Sequence, residues 1–166
     1  MAAARCPIYA LLDNVRSAWN VGSMFRTADA AGLAGLYLSG ITATPPRPDL
    51  EKTALGAQRT VPWDYWPRTE DALAHLRRQG VLLVALECAE DAVTMEQAAS
   101  RFPLCFVVGN EVAGLDDGVR TLCDHTAMIP MHGRKESLNV AVSFGLMAYA
   151  SRRRWELTTA PSSRRE

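Results

Sequence analysis

The sequence predicts an α/β fold, a single-domain, mostly parallel sheet flanked by helices. Three observations carry that reading. Apolar runs of four to six residues recur along the chain, bounded by Gly or Pro. Amphipathic stretches separate them, and the 166 residues hold no internal repeat and no second apolar core. Strands alternating with segments of helical period read as βα units around one sheet. A domain of this length buries roughly 68–70% of its unfolded surface, enough for one core.

Taken in order, Ile8–Leu12 is the first predicted strand and Ala18–Ala31 the first helix. Val21, Met24, Phe25 and Ala28 recur there at helical spacing. Leu36–Ser39 is the second strand. The next segment, Ile41–Pro67, holds Pro45, Pro46, Pro48, Pro62 and Pro67, too many for a regular helix. It reads as a long irregular connection of the kind that is usually functional or mobile. Then come a helix over Thr69–Gln79, a strand over Val81–Leu86, a helix over Thr94–Ser100, a strand over Leu104–Val108, a helix over Asp117–Cys123 and a strand over Thr126–Ile129.

The last helix is expected from Ser137 to Trp155. Leu138, Ala141, Val142, Gly145, Leu146 and Tyr149 make one apolar stripe; Val140, Phe144 and Met147 make another. A helix apolar on two sides is covered twice, and in so small a protein the second cover is expected to be another subunit, meeting the Phe144 stripe. Arg152–Arg154 suit the negative end of the helix dipole. The polar, aperiodic segment 156–166 is expected to be a disordered tail, leaving 1–155 as the domain.

Composition narrows the function classes. The chain is 48% apolar and 22% charged, with 18 basic and 18 acidic residues, which excludes disorder of the whole chain. Its longest strongly apolar stretches run about eight residues, far below the roughly 20 of a membrane span. Met1–Asp13 has one Arg and lacks the apolar centre of a signal peptide, so a cytoplasmic location is expected. Basic charge is almost all Arg, 16 against Lys52 and Lys135. With no net charge, nucleic-acid binding would need a local patch. Cys6, Cys88, Cys105 and Cys123 form no CxxC pair and read as buried, reduced thiols.

Familiar catalytic patterns are missing. Gly109 and Gly114 have the outer spacing of a P-loop, but Leu115 stands where Lys is required. Ser143 has Ala141 in place of the first Gly of a nucleophile elbow. Cys123, His125 and His132 lack the paired spacing of metal ligands, so no metal site is expected. Three clusters remain: Asn14–Ala28, Phe106–Leu115 and Ile129–Val140. Each follows a predicted strand, and ligands of parallel α/β sheets bind beyond strand carboxyl ends. The first also opens a helix, whose N-terminus favours anions. Taken singly, Asn20 and Ser137 could be helix caps and Glu111 a loop carboxylate; three such clusters in one small chain favour a shared pocket.

The spacings Asn20-x-Gly22-x-x-x-Arg26-x-Ala28, Gly109-Asn110-Glu111-x-x-Gly114-Leu115 and Ile129-Pro130-Met131-x-Gly133-x-x-x-Ser137-Leu138-Asn139-Val140 resemble the SpoU (TrmH-like) RNA ribose methyltransferases of the SPOUT superfamily. Ala141, where many relatives have Ser, is a departure. The resemblance implies a C-terminal deep trefoil knot, a homodimer, and S-adenosylmethionine as methyl donor. It implies donor binding by Gly109, Asn110, Glu111, Gly114, Ile129, Met131, Ser137 and Leu138. Arg26 is implied at the reacting hydroxyl, within a polar frame of Asn20, Glu111, Ser137 and Asn139. The expected product is a methylated ribose 2′-oxygen in tRNA or rRNA, with Arg16, Arg26, Arg134 and Lys135 gripping the RNA. Two alternatives stay open: a knotted dimer that binds RNA without catalysis, and a SPOUT methyltransferase acting on a base.

Overall fold

A computed structural model describes residues 4–160. Strands β1 (Cys6–Asp13), β2 (Leu33–Ser39), β3 (Trp63–Trp66), β4 (Leu82–Leu86), β5 (Val93–Thr94), β6 (Leu104–Val108) and β7 (His125–Met128) form one seven-stranded sheet in the order β3-β2-β1-β6-β4-β7-β5. Every strand pair in it is parallel. The helices are α1 (Ala18–Ala31), α2 (Pro48–Ala54), α3 (Thr69–Arg78), α4 (Met95–Ala98), α5 (Asp117–Thr121) and α6 (Val140–Thr159), with a 3₁₀ turn at Ala57–Arg59.

Burial on both faces explains why the central strands read as continuous apolar runs. Ile8, Ala10 and Leu12 of β1 point into the core shared with α1, α2 and α6, whereas Leu11 points into the core beneath α3 and α5. That alternation is the period-two geometry of a strand. On α1, Val21, Met24, Phe25 and Ala28 are fully buried.

Five expectations are corrected. The Pro-rich segment is not wholly irregular: Pro48 starts α2, at the first helical position, where its missing N–H is no loss and its φ is already suitable. Trp63–Trp66 then adds the edge strand β3 beside β2. Helix α6 begins at Val140, not Ser137, because Asn139 is its N-cap, its Oδ1 accepting from Ala141 N at 2.9 Å and Val142 N at 3.3 Å. It also runs on through Thr159, so residues 156–159 are helical; the rest of the expected tail lies, from 161 onward, outside the described residues.

The fourth correction concerns the two stripes of α6. Phe144 and Met147 are completely buried, with the Phe144 ring 5.1 Å from that of Phe106 on β6. They face the protein's own sheet and are not available to a partner. The free face is the other stripe: Leu138, Val142, Leu146 and Tyr149 are 40–52% exposed. Periodicity finds both stripes but cannot rank them; the aromatic pair with Phe106 decides. The thiols also differ from expectation, for Cys6 and Cys105 are buried, but Cys123 is only half-buried and Cys88 is exposed.

Candidate active site

The carboxyl ends of β1, β6, β4 and β7 open on one edge of the sheet, and the three Gly- and Asn-rich clusters meet there. The loop after β6 folds back on itself: Asn110 N donates to Gly114 O at 3.1 Å and Gly114 N to Asn110 O at 2.9 Å. Asn110 organises this turn with its side chain. Its Oδ1 accepts from Val112 N (2.9 Å) and Ala113 N (3.0 Å), and its Nδ2 donates to Asn14 O (2.9 Å), tying β6 to β1. Asn and Asp favour such turns for this reason. Gly109 admits no side chain, because a Cβ there would lie 2.6 Å from Leu115 N. Gly114 has φ +67°, which favours glycine, and the Glu87 carboxylate fills the space beside it while accepting from Leu115 N at 2.9 Å.

Glu111 joins the clusters. Its carboxylate accepts from Arg16 N and Ser17 N, each at 2.9 Å, and from Asn20 Nδ2 at 3.1 Å. It thus pairs the two backbone N–H groups that lead into α1 and sets a negative charge at the positive end of the helix dipole. Burial opposes its ionisation, but the N–H donors of Ser17, Arg16 and Asn20 outweigh burial and hold the carboxyl below the ordinary glutamate range. It is therefore an ionised acceptor and a weak base. Asn20 is not the helix cap; Ser17 is, accepting from Asn20 N at 3.2 Å. That leaves the Asn20 amide for Glu111 on one side and for Asn139 Nδ2, 3.4 Å from Asn20 Oδ1, on the other.

Beside this frame lies a cavity of about 330 Å³ whose walls include Leu86, Val108, Ile129 and Leu138, within the range of small-ligand sites. Gly109, Asn110, Glu111, Gly114, Ile129, Met131, Ser137 and Leu138 all line it, as does Asn139. The apolar walls can sandwich a flat ring while loop amides and carbonyls meet its polar edge. Four lining residues have no place in the motif reading: Leu86, Glu87, Cys88 and Ser143. For Glu87 and Cys88 a signal was available, since they directly follow the strand run Val81–Leu86. Ser143 is reached one turn into α6 and had none.

The basic residues lie outside the cavity. Arg16 extends from the loop that Glu111 anchors, and Arg134 and Lys135 are exposed on the loop after β7. Arg26 is exposed on α1, six residues beyond Asn20, or roughly 9 Å of helix. The structure does not bring it into its own chain's cavity. Among the described residues, no three His, Cys, Asp or Glu side chains converge to hold a metal ion, and no helix is long and apolar enough to cross a membrane.

Residues 7–149 match the family model of the SpoU rRNA Methylase family. The 23S rRNA (guanosine-2'-O-)-methyltransferase RlmB of Vibrio vulnificus (strain CMCP6) is 33% identical over 86% of this chain and 58% of its own length. The AdoMet-bound rRNA methyltransferase from Sinorhizobium meliloti superposes with a TM-score of 0.84 at 33% identity, covering 92% of this chain and 58% of that one. A structure concerned with the 2-OH methylation of C/U34 on tRNA superposes with a TM-score of 0.80 at 28% identity, covering 92% of this chain and 99% of that one. The chain thus spans under two thirds of the Vibrio and Sinorhizobium proteins and nearly all of the third. Motif geometry, fold and these likenesses agree: the chain belongs to the SpoU rRNA methylase family.

Proposed function

We propose that this protein is an S-adenosylmethionine-dependent RNA methyltransferase that modifies a ribose 2′-hydroxyl of tRNA or rRNA. The observation that carries the reading is the convergence of all eight expected donor-binding residues on one cavity beside the Asn20–Glu111–Asn139 frame. The ribose, rather than a base, is favoured by relatives named for 2′-O-methylation. The donor supplies an electrophilic methyl group on a sulfonium that leaves readily. Backbone around Gly109, Ile129, Met131 and Leu138 holds it, with the tight turn at Gly109 as the cradle. The protein's work is then positioning and activation of a weak nucleophile.

Arg26 activates the hydroxyl without acting as a base, since a guanidinium stays protonated. Its charge on the adjoining phosphate lowers the pKa of the 2′-hydroxyl, whose proton leaves to water or phosphate. Asn20, Glu111, Ser137 and Asn139 orient the ribose, and Arg16, Arg134 and Lys135 grip the RNA backbone. The active form is a cytoplasmic homodimer joined through the exposed stripe Leu138–Val142–Leu146–Tyr149. Arg26 borders that stripe, because Thr27 meets α6 at Gly145, and it serves the partner's cavity. The C-terminal segment is threaded as a deep trefoil knot, a reading supported by β7 lying between β4 and β5 and by a cavity built jointly from the loops after β4, β6 and β7. The described chain is one methyltransferase domain.

The test is alkaline cleavage of RNA modified by the purified protein, since a methylated 2′-oxygen cannot attack its own phosphodiester. One missing rung in the ladder is expected. A labelled methyl group on a base, with an unbroken ladder, would overturn the assignment, and RNA binding with no binding of the donor would favour the binding-only alternative.

A further inference from the structure

The Pro-rich segment has one consequence outside the cavity. Its helix α2 packs directly against α1 at Gly22, where a Cβ would run into Thr53 Oγ1 and the Leu50 carbonyl. Thr53 Oγ1 also donates to Trp19 O at 2.8 Å. This close contact holds Lys52 of α2 over the indole of Trp19, Nζ 5.5 Å from the ring. Trp19 is half exposed, an unusual state for so large an aromatic side chain. Lys52 is mostly solvated, and its carboxylate partner Asp49 stands 4.0 Å away, so the ammonium can leave the ring at little cost.

The position of this pair matters. Trp19 immediately precedes Asn20, on the neighbouring side of α1, and shares its own stripe with Ser23 and Arg26 at i+4 and i+7. Arg16 is exposed three residues before it. The nearby Glu111 carboxylate already accepts three N–H donors, which lessens its repulsion of a polyanion. An exposed aromatic ring among Arg16, Arg26 and Lys52 has the composition of a single-strand nucleic-acid platform, where a base stacks and cations meet the phosphates.

The geometry points to Trp19 and Lys52 as a stacking subsite for a nucleobase flanking the acceptor nucleotide, Lys52 moving from the ring to a phosphate as the base arrives. This inference rests on the methyltransferase reading above. It is tested with a fluorescent single-stranded oligoribonucleotide of about 12 nucleotides, its counterpart with abasic residues, and calorimetric titration of S-adenosylmethionine. Trp19→Ala should weaken binding of the normal oligonucleotide on the order of ten-fold or more, while Trp19→Phe keeps most of the affinity. The abasic oligonucleotide should bind wild type and Trp19→Ala alike. Lys52→Ala should reduce the salt dependence by about one phosphate contact. Donor affinity should not change in any of these variants, which also reports that they are folded.

Methylation of RNA by wild type with equal oligonucleotide affinity in Trp19→Ala would overturn the platform alone. Donor binding by wild type with no affinity for any RNA would overturn the methyltransferase reading, and the platform with it. Conversion of a wild-type dimer to a monomer by Trp19→Ala would assign the ring to contact between two copies and overturn the RNA subsite.

Discussion

The two long loops that wall the cavity are built differently. The loop after β6 is bonded throughout: Asn110 closes its turn, Glu111 reaches three donors on the α1 side, and Glu87 braces it from β4. Over the ten residues from Ile129 to Leu138, the other loop has one hydrogen bond to its surroundings among the described residues, Cys88 Sγ to Glu136 O at 3.7 Å. The helix that follows it carries the exposed Val142–Leu146–Tyr149 stripe. The difference teaches that one wall is set when the core packs. The other is left to take its shape from what lies against it, which in the proposed function is the donor within and a second subunit without.

The sharpest way to break that comparison is at the outer face. Leu146→Asp would place a charge in the proposed dimer contact and should cost several kcal/mol of association. Sedimentation should show a dimer becoming a monomer, and calorimetry should show weakened donor binding as the loose wall loses support. A monomeric wild type at micromolar concentration would refute the account of this wall. Glu111→Ala attacks the bonded wall: it strips the acceptor from two backbone N–H groups and one amide, with an expected loss of about 2 kcal/mol in urea unfolding. Single-turnover methyl transfer should fall on the order of 100-fold.

Gly109→Ala forces a methyl group into the turn and should cost about 1–3 kcal/mol through overpacking. Donor affinity should fall with it, whereas the oligomeric state measured by sedimentation should not change. The smallest effect is a pH dependence. Because the folded-state pKa of Glu111 is lowered, its contribution is present above the ordinary glutamate value and lost as pH falls through the folded value. Asp13 at the end of β1 has the opposite sign. Burial pushes its carboxyl up despite the hydrogen bonds from Thr69 and Asn14, so its cost appears as pH rises through the aspartate range. Urea midpoints against pH should show the acid-side loss disappear in Glu111→Gln, and the neutral-pH cost disappear in Asp13→Asn.

Much of the fold and of the site is legible in the sequence. Short apolar strands, the α1 face and the loop motifs are local signals, and a parallel sheet necessarily gathers strand carboxyl ends on one edge. That is why residues as distant as Gly109 and Leu138 could be assigned to one pocket. What stayed hidden depended on tertiary choice. Pro48 breaks a helix interior but starts α2, and only position distinguishes the two. Trp63–Trp66 is mostly exposed at the sheet edge, so it lacks the apolar run that marks β4 or β6. Arg26 shares a motif with Asn20 but not its hydrogen-bonded frame, because six residues of helix carry it away from Glu111 and Asn139.

The Asn20–Glu111–Asn139 chain has a consequence for the order of events in making the protein. Its two links span 91 and 119 residues of sequence, each more than half of the 166-residue chain. Loops of that size add little equilibrium cost but delay assembly, since distant contacts form after local ones have reduced the search. The frame therefore does not exist on a nascent chain that has yet to release Asn139. In the proposed function, competence to methylate RNA therefore waits for Asn139, and a fragment that stops before it lacks the frame.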